Sequence, residues 1–108
     1  MRIQFLSPEA DINPDNDNVD VLLHLDDGRT FLFVAFTPNN IYSCMENEGI
    51  DYFLGAQPLF VRKLTRDNLE TAFRALLEDP NQLEVYGTLQ RGDEDRSGVS
   101  DLRTFRRR

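Results

Sequence analysis

Residues 19–36 read VDVLLHLDDGRTFLFVAF, two alternating apolar runs on either side of Asp27-Gly28. Asp-Gly is a strong hairpin signal, because both central residues of a type I′ turn need positive φ, which Gly takes freely and Asp tolerates. A two-residue turn sets Val19 opposite Phe36, Val21 opposite Val34, Leu23 opposite Leu32 and Leu25 opposite Thr30, all on one face, the expected core. The other face then holds Asp20 opposite Ala35, Leu22 opposite Phe33, His24 opposite Phe31 and Asp26 opposite Arg29. Leu22, Phe31 and Phe33 are too apolar for a solvated face, while His24 and Asp20 are too polar for an ordinary core. Such a face is either covered by the chain's own helix or loop, or it is a contact surface.

The chain has 108 residues, 29% of them charged and 40% hydrophobic, the composition of one small globular domain. No apolar run approaches the roughly 18 residues that a membrane helix needs. The opening MRIQFLSPEADINPDNDN turns polar and acidic too soon for a secretory signal. A single cysteine excludes a disulfide framework and a multi-cysteine metal site, so the expected location is the cytoplasm. Through Gln90 there are 15 acidic and 6 basic residues, a net of −9; from Arg91 onward there are 4 acidic and 6 basic, a net of +2. An acidic body repels phosphate backbones and steers a basic protein partner towards itself, which disfavours nucleic acid. The terminal Arg106-Arg107-Arg108 reads as a solvated end.

Outward from the hairpin, Arg2 to Leu6 reads as a short strand with Ile3 and Phe5 on one side, followed by a polar loop over residues 7–18. Thr37-Pro38 makes a helix start, with Thr37 as N-cap and Pro38 at the first helical position. Ile41, Cys44, Met45 and Glu48 fall along one stripe of that short helix, and Gly49 terminates it. Asp51–Leu54 and Leu59–Leu64 read as two further extended segments. Leu69, Ala72, Phe73, Leu76 and Leu77 repeat at helical spacing, with Thr65 as N-cap, Leu64 and Leu69 as a hydrophobic staple, Glu70 paired with Arg74, and Pro80 setting the end. Leu83, Val85 and Tyr86 form one last packed segment, helix or strand. The expected fold is α+β: a mostly antiparallel sheet containing a central β-hairpin, with one long and one short helix packed on it. Residues 1–90 form the domain, and residues 91–108 a charged, disordered tail.

The runs LDDGRTFLFVAFTPNNI and YFLGAQPLFVRKLTRDNLETAFRALL resemble a group of small uncharacterised bacterial proteins. Their pattern is an aspartate-glycine hairpin leading into a Phe-Thr helix start, then a Tyr-Phe pair, a hydrophobic strand and an amphipathic helix. The resemblance covers Val19 to Leu77 and rests on structural signals, so it implies no catalytic or binding residue.

Candidate chemistry is sparse. His24 and Cys44 are the only histidine and cysteine, so a thiol nucleophile with an imidazole base would have to be this pair, within hydrogen-bond reach and with a lowered thiol pKa. On the apolar stripe of a helix, however, a free cysteine commonly serves as a small core hydrophobe. Asp93, Asp95, Ser97, Gly98, Val99 and Asp101 match positions 1, 3, 5, 6, 7 and 9 of a calcium-binding EF-hand loop, but position 12 is Thr104 rather than a bidentate Glu. The earlier Asp11, Asn13, Asp15, Asp17 run lacks the glycine and reads as turn chemistry. With no phosphate loop, nucleophile elbow or histidine-rich set, the sequence carries no enzyme signature, and no cofactor or metal is expected.

Two functional readings follow. The first is a small acidic interaction protein, immunity-like or regulatory, that binds an unidentified and basic protein partner through Leu22, His24, Phe31 and Phe33, with Asp20 and Asp26 at the rim. The second is a small-molecule binder or weak enzyme using His24 and Cys44. A homodimer through the same apolar face is a third arrangement.

Overall fold

A computed structural model describes residues 1–54 and 58–91. The expectation for the tail and the calcium-loop match at 93–104 both fall, from residue 92 on, outside the described residues. The elements run β1 (Arg2–Phe5), β2 (Asn18–His24), β3 (Thr30–Phe36), α1 (Pro38–Glu48), β4 (Pro58–Phe60), α2 (Arg66–Leu77), α3 (Leu83–Tyr86) and β5 (Gly87–Leu89). Single 3-10 turns lie at Glu9–Asp11 and Pro80–Gln82. The sheet order is β1-β2-β3-β4, with β5 also on β3; all pairs are antiparallel except β3 with β4. The α+β expectation therefore holds.

The hairpin register is shifted by one residue from the two-residue expectation. Val21 faces Phe33, Leu23 faces Phe31 and His24 faces Thr30. The reason lies in the loop, which has three residues, Asp26-Asp27-Gly28. Leu25 N donates to Arg29 O at 2.8 Å, Gly28 N donates to Leu25 O at 3.1 Å, and Gly28 takes φ +94°. This is the turn-plus-bulge loop in which the glycine occupies the left-handed position. The Asp27 carboxylate holds it by accepting from Arg29 N at 3.0 Å and Arg29 Nε at 2.9 Å.

A one-residue slip turns every side chain of one strand to the other side. Phe31, Phe33 and Ala35 consequently join Val19, Val21 and Leu23 on the core face, while Leu32, Val34 and Phe36 join Asp20, Leu22 and His24 opposite. The core face is closed by Leu69 and Phe73 of α2, Leu83 of α3, and Val61 and Leu64. The Phe33 ring lies 4.8 Å from that of Phe73 and 6.4 Å from that of Phe31. On the opposite face Leu32, Val34 and Phe36 are also buried, and Phe53 meets Phe36 edge-on at 5.3 Å.

Both long helices begin where cap chemistry places them. Thr37 Oγ1 accepts from Asn40 N at 3.2 Å, and Thr65 Oγ1 accepts from Asn68 N at 3.2 Å. Arg74 reaches Glu70 at 2.9 Å, as expected. Of the two extended segments expected over Asp51–Leu54 and Leu59–Leu64, only Pro58–Phe60 is strand. The outer side of β3 is shared end to end: β5 takes positions 31–33 and β4 takes positions 34–36, leaving neither room to lengthen. The last packed segment is one helical turn, α3, running into strand β5.

Candidate functional site

The six side chains expected to form a binding face do not form one. Phe31 and Phe33 are fully buried in the core, on the side of the sheet opposite Leu22 and His24. Asp20 is 2% exposed. Leu22 and His24 are half-buried, and Asp26 stands at the hairpin tip with its side chain 95% exposed. The cause is the three-residue loop: with the register moved by one, the aromatic pair faces α2 instead of the outside.

His24 is tied into the sheet. Its Nε2 lies 2.8 Å from Gln4 Oε1 and donates to it, and its Nδ1, 3.0 Å from Thr30 Oγ1, accepts the hydroxyl proton. Burial, and then the charge of Arg2 opposite it on β1, hold its pKa below the ordinary imidazole value. The Cys44 thiol points to Asn40 Oδ1 at 3.8 Å, and burial, then the Glu48 carboxylate, push its pKa up. A nucleophilic thiol needs the reverse shift. Each of the two groups that a thiol–imidazole mechanism would have to pair is thus bonded to something else.

The polar loop before β2 is bound to the start of α1. Asn18 Nδ2 donates to Asn40 Oδ1 at 2.7 Å, Asn40 Nδ2 to Asn16 Oδ1 at 3.2 Å, and Asn16 Nδ2 to the Ser43 hydroxyl at 3.2 Å. Asp15 N donates to Asn13 Oδ1 at 3.0 Å, the side-chain turn expected of Asx residues. Among the described residues, no three His, Cys, Asp or Glu side chains converge as a metal site.

The opposite end of α1 is different. Helix α1 buries no side chain completely, and its apolar stripe of Ile41, Cys44 and Met45 is only half-covered. It stops in a Schellman turn: Ile50 N donates to Met45 O at 3.0 Å and Gly49 N to Glu46 O at 3.2 Å, with Gly49 left-handed. That turn folds Ile50 and Asp51 back towards the helix. Together with Tyr42, Met45, Glu46 and Gly49 they line an open cleft of about 410 Å³.

No protein-family model, curated protein or solved structure matches this chain. Its functional reading rests on its own residues.

Further along the chain from the cleft, other large apolar side chains are exposed. Tyr42 is 65% exposed, Tyr52 57%, Leu54 75% and Phe60 55%. Phe36 joins the later members of this group, since it pairs with Phe60 across the sheet and carries the Phe53 ring. No lysine or arginine occurs between Arg29 and Arg62, whereas Glu46, Glu48 and Asp51 lie inside that interval. Residue-by-residue reading missed this surface because each of its aromatics sits in a segment assigned to helix or strand packing. The long interval without a cation was the available signal.

The remaining sheet edge is protected. Arg66 Nη1 donates to Ile3 O on β1 at 2.9 Å, its guanidinium lies 4.9 Å over the Phe5 ring, and it also pairs with Glu9. A side chain bonded across an edge strand blocks further strand addition there. No helix among the described residues is long and apolar enough to cross a membrane.

Proposed function

We propose that this chain is a non-catalytic interaction module that receives a basic protein partner, acting in the cytoplasm as a small acidic regulator. The proposed surface takes Tyr42, Tyr52, Leu54 and Phe60 as anchors, with Glu46, Glu48 and Asp51 interspersed among them in the sequence. One observation carries the reading: of the six exposed large apolar side chains among the described residues, four fall between residues 42 and 60, in an interval free of cations. Exposed aromatics inside a charged rim are the composition of interface cores, and a one-sign field raises the association rate of an oppositely charged partner. A reducing compartment suits a chain whose lone thiol, Cys44, is half-buried.

The test is retention of proteins from a lysate of the source cell at low and high salt. It compares the wild type, a Tyr52→Glu, Leu54→Glu double variant, and a Val85→Glu control whose substituted side chain is exposed elsewhere. A basic protein held by the wild type and the control, lost with the double variant and released by salt, is the expected result. Equal retention by all three folded proteins would refute the reading.

A further inference from the structure

The cleft at the end of α1 combines three features that favour a cation. Glu46 and Asp51 line it, and so does Tyr42, an aromatic residue that is 65% exposed. The third is the helix itself. The C-terminal end of a helix carries partial negative charge, normally offset by Lys, Arg or His in the last turn. Helix α1 has no basic residue there and carries Glu46 and Glu48 instead. Local electrostatics in this helix therefore run against its own stability. Among the described residues neither Glu46 nor Glu48 has an ion-pair partner, and rule-breaking of that kind is expected at functional surfaces.

We propose that this cleft takes an arginine guanidinium from a basic segment of the partner, an inference that rests on the interaction reading above. A guanidinium is planar, stacks on aromatic faces and is weakly hydrated, which suits an open cleft lined by one tyrosine and two acidic residues. Met45 and Ile50, whose backbones the Schellman turn bonds to each other, also line the cleft and would offer apolar surface to the arginine stem.

The experiment is a titration of the full ¹⁵N-labelled chain with a capped tetra-arginine peptide, followed by backbone amide shifts, alongside tetra-lysine and glycine-serine peptides. Saturable shifts at Tyr42, Glu46, Gly49, Ile50 and Asp51 with tetra-arginine are expected, weaker with tetra-lysine and absent with glycine-serine. Glu46→Gln with Asp51→Asn should weaken binding roughly two- to thirty-fold, the range for removing two exposed charge contacts. Tyr42→Leu, which keeps the apolar wall and removes the ring face, should weaken it roughly two- to five-fold. Equal binding of tetra-lysine would overturn the assignment to a guanidinium. Shifts spread over other acidic positions, such as Asp26, Asp27 and Glu84, or unchanged in the charge variant, would overturn the site. If tetra-arginine avoids the cleft while partner retention still depends on Tyr52 and Leu54, this inference fails and the interaction reading stands.

Discussion

Replacing Gly87 by alanine tests how Phe33 packs against β5, because Gly87 lies opposite Phe33 across the sheet and the space that a Cβ would enter is filled by that ring. A Cβ at position 87 would sit 2.7, 2.8 and 3.0 Å from three atoms of the Phe33 ring. Ordinary carbon contacts lie at about 3.5–4.0 Å, so the ring would have to move by up to about 1 Å. It has nowhere to go: Phe33 is fully buried, with Phe73 at 4.8 Å and Phe31 at 6.4 Å. Overpacking of this kind costs about 1–3 kcal/mol. The backbone at Gly87, φ −133° and ψ 169°, is extended and open to alanine, so restricting the unfolded chain returns about 0.4–1 kcal/mol. The clash outweighs that gain, and Gly87→Ala should destabilise by roughly 1–2 kcal/mol. In a Phe33→Leu background the ring atoms are gone, so the same substitution should become neutral or stabilising. Urea unfolding of the four proteins, with unchanged m values, would then give a coupling of about 1–3 kcal/mol, within the range for residues in contact. Additivity to within about 0.5 kcal/mol would refute the close approach of Gly87 to the Phe33 ring.

Thr37→Ala should cost about 2 kcal/mol, the upper end for a cap, because Oγ1 is buried and accepts from Asp17 N as well as Asn40 N; Thr65→Ala, at a half-buried cap, should cost about 1 kcal/mol in the same denaturation assay. His24 has a folded pKa below its unfolded one, from burial and then from Arg2. Its contribution is therefore fully present above the unfolded value of about 6.5 and is lost as pH falls through the lowered folded value. His24→Gln should reduce the loss of urea midpoint between neutral and mildly acidic pH, and an identical pH dependence in variant and wild type would contradict this. Glu48→Lys should raise thermal stability by about 0.3–1 kcal/mol through the helix dipole while weakening retention of a basic partner. A stability gain with retention unaltered would separate the α1 terminus from the binding surface.

What could be read from the residues depended on whether the deciding interaction was local. The caps Thr37 and Thr65, the stop at Gly49 and the Glu70–Arg74 pair each depend on a few neighbouring residues, and all appear where the sequence places them. The hairpin was legible as a hairpin, but its register was not. Asp27-Gly28 suits a two-residue loop and equally a three-residue loop with Gly28 in the left-handed position, and apolar residues fill both β3 faces, so neither register exposes an obvious error. Leu32, Val34 and Phe36 are as apolar as Phe31, Phe33 and Ala35. The tie is broken by α2, whose Phe73 meets Phe33 from forty residues away in sequence.

That single residue of register relocates the exposed aromatic surface. In the expected pairing, Phe31 and Phe33 would stand beside His24 and make an aromatic surface on the hairpin; in the observed one they complete the core, and the hairpin face loses its anchors. Among the described residues, four of the six exposed large apolar side chains then lie in the stretch after β3, Tyr42, Tyr52, Leu54 and Phe60, and the other two are Val85 and Tyr86. Helix α1 ends on Glu46 and Glu48, against its own dipole and with no basic residue in its last turn, and exposed aromatics follow it in the chain; the proposed basic, arginine-bearing partner would cover the aromatics and offset the charge.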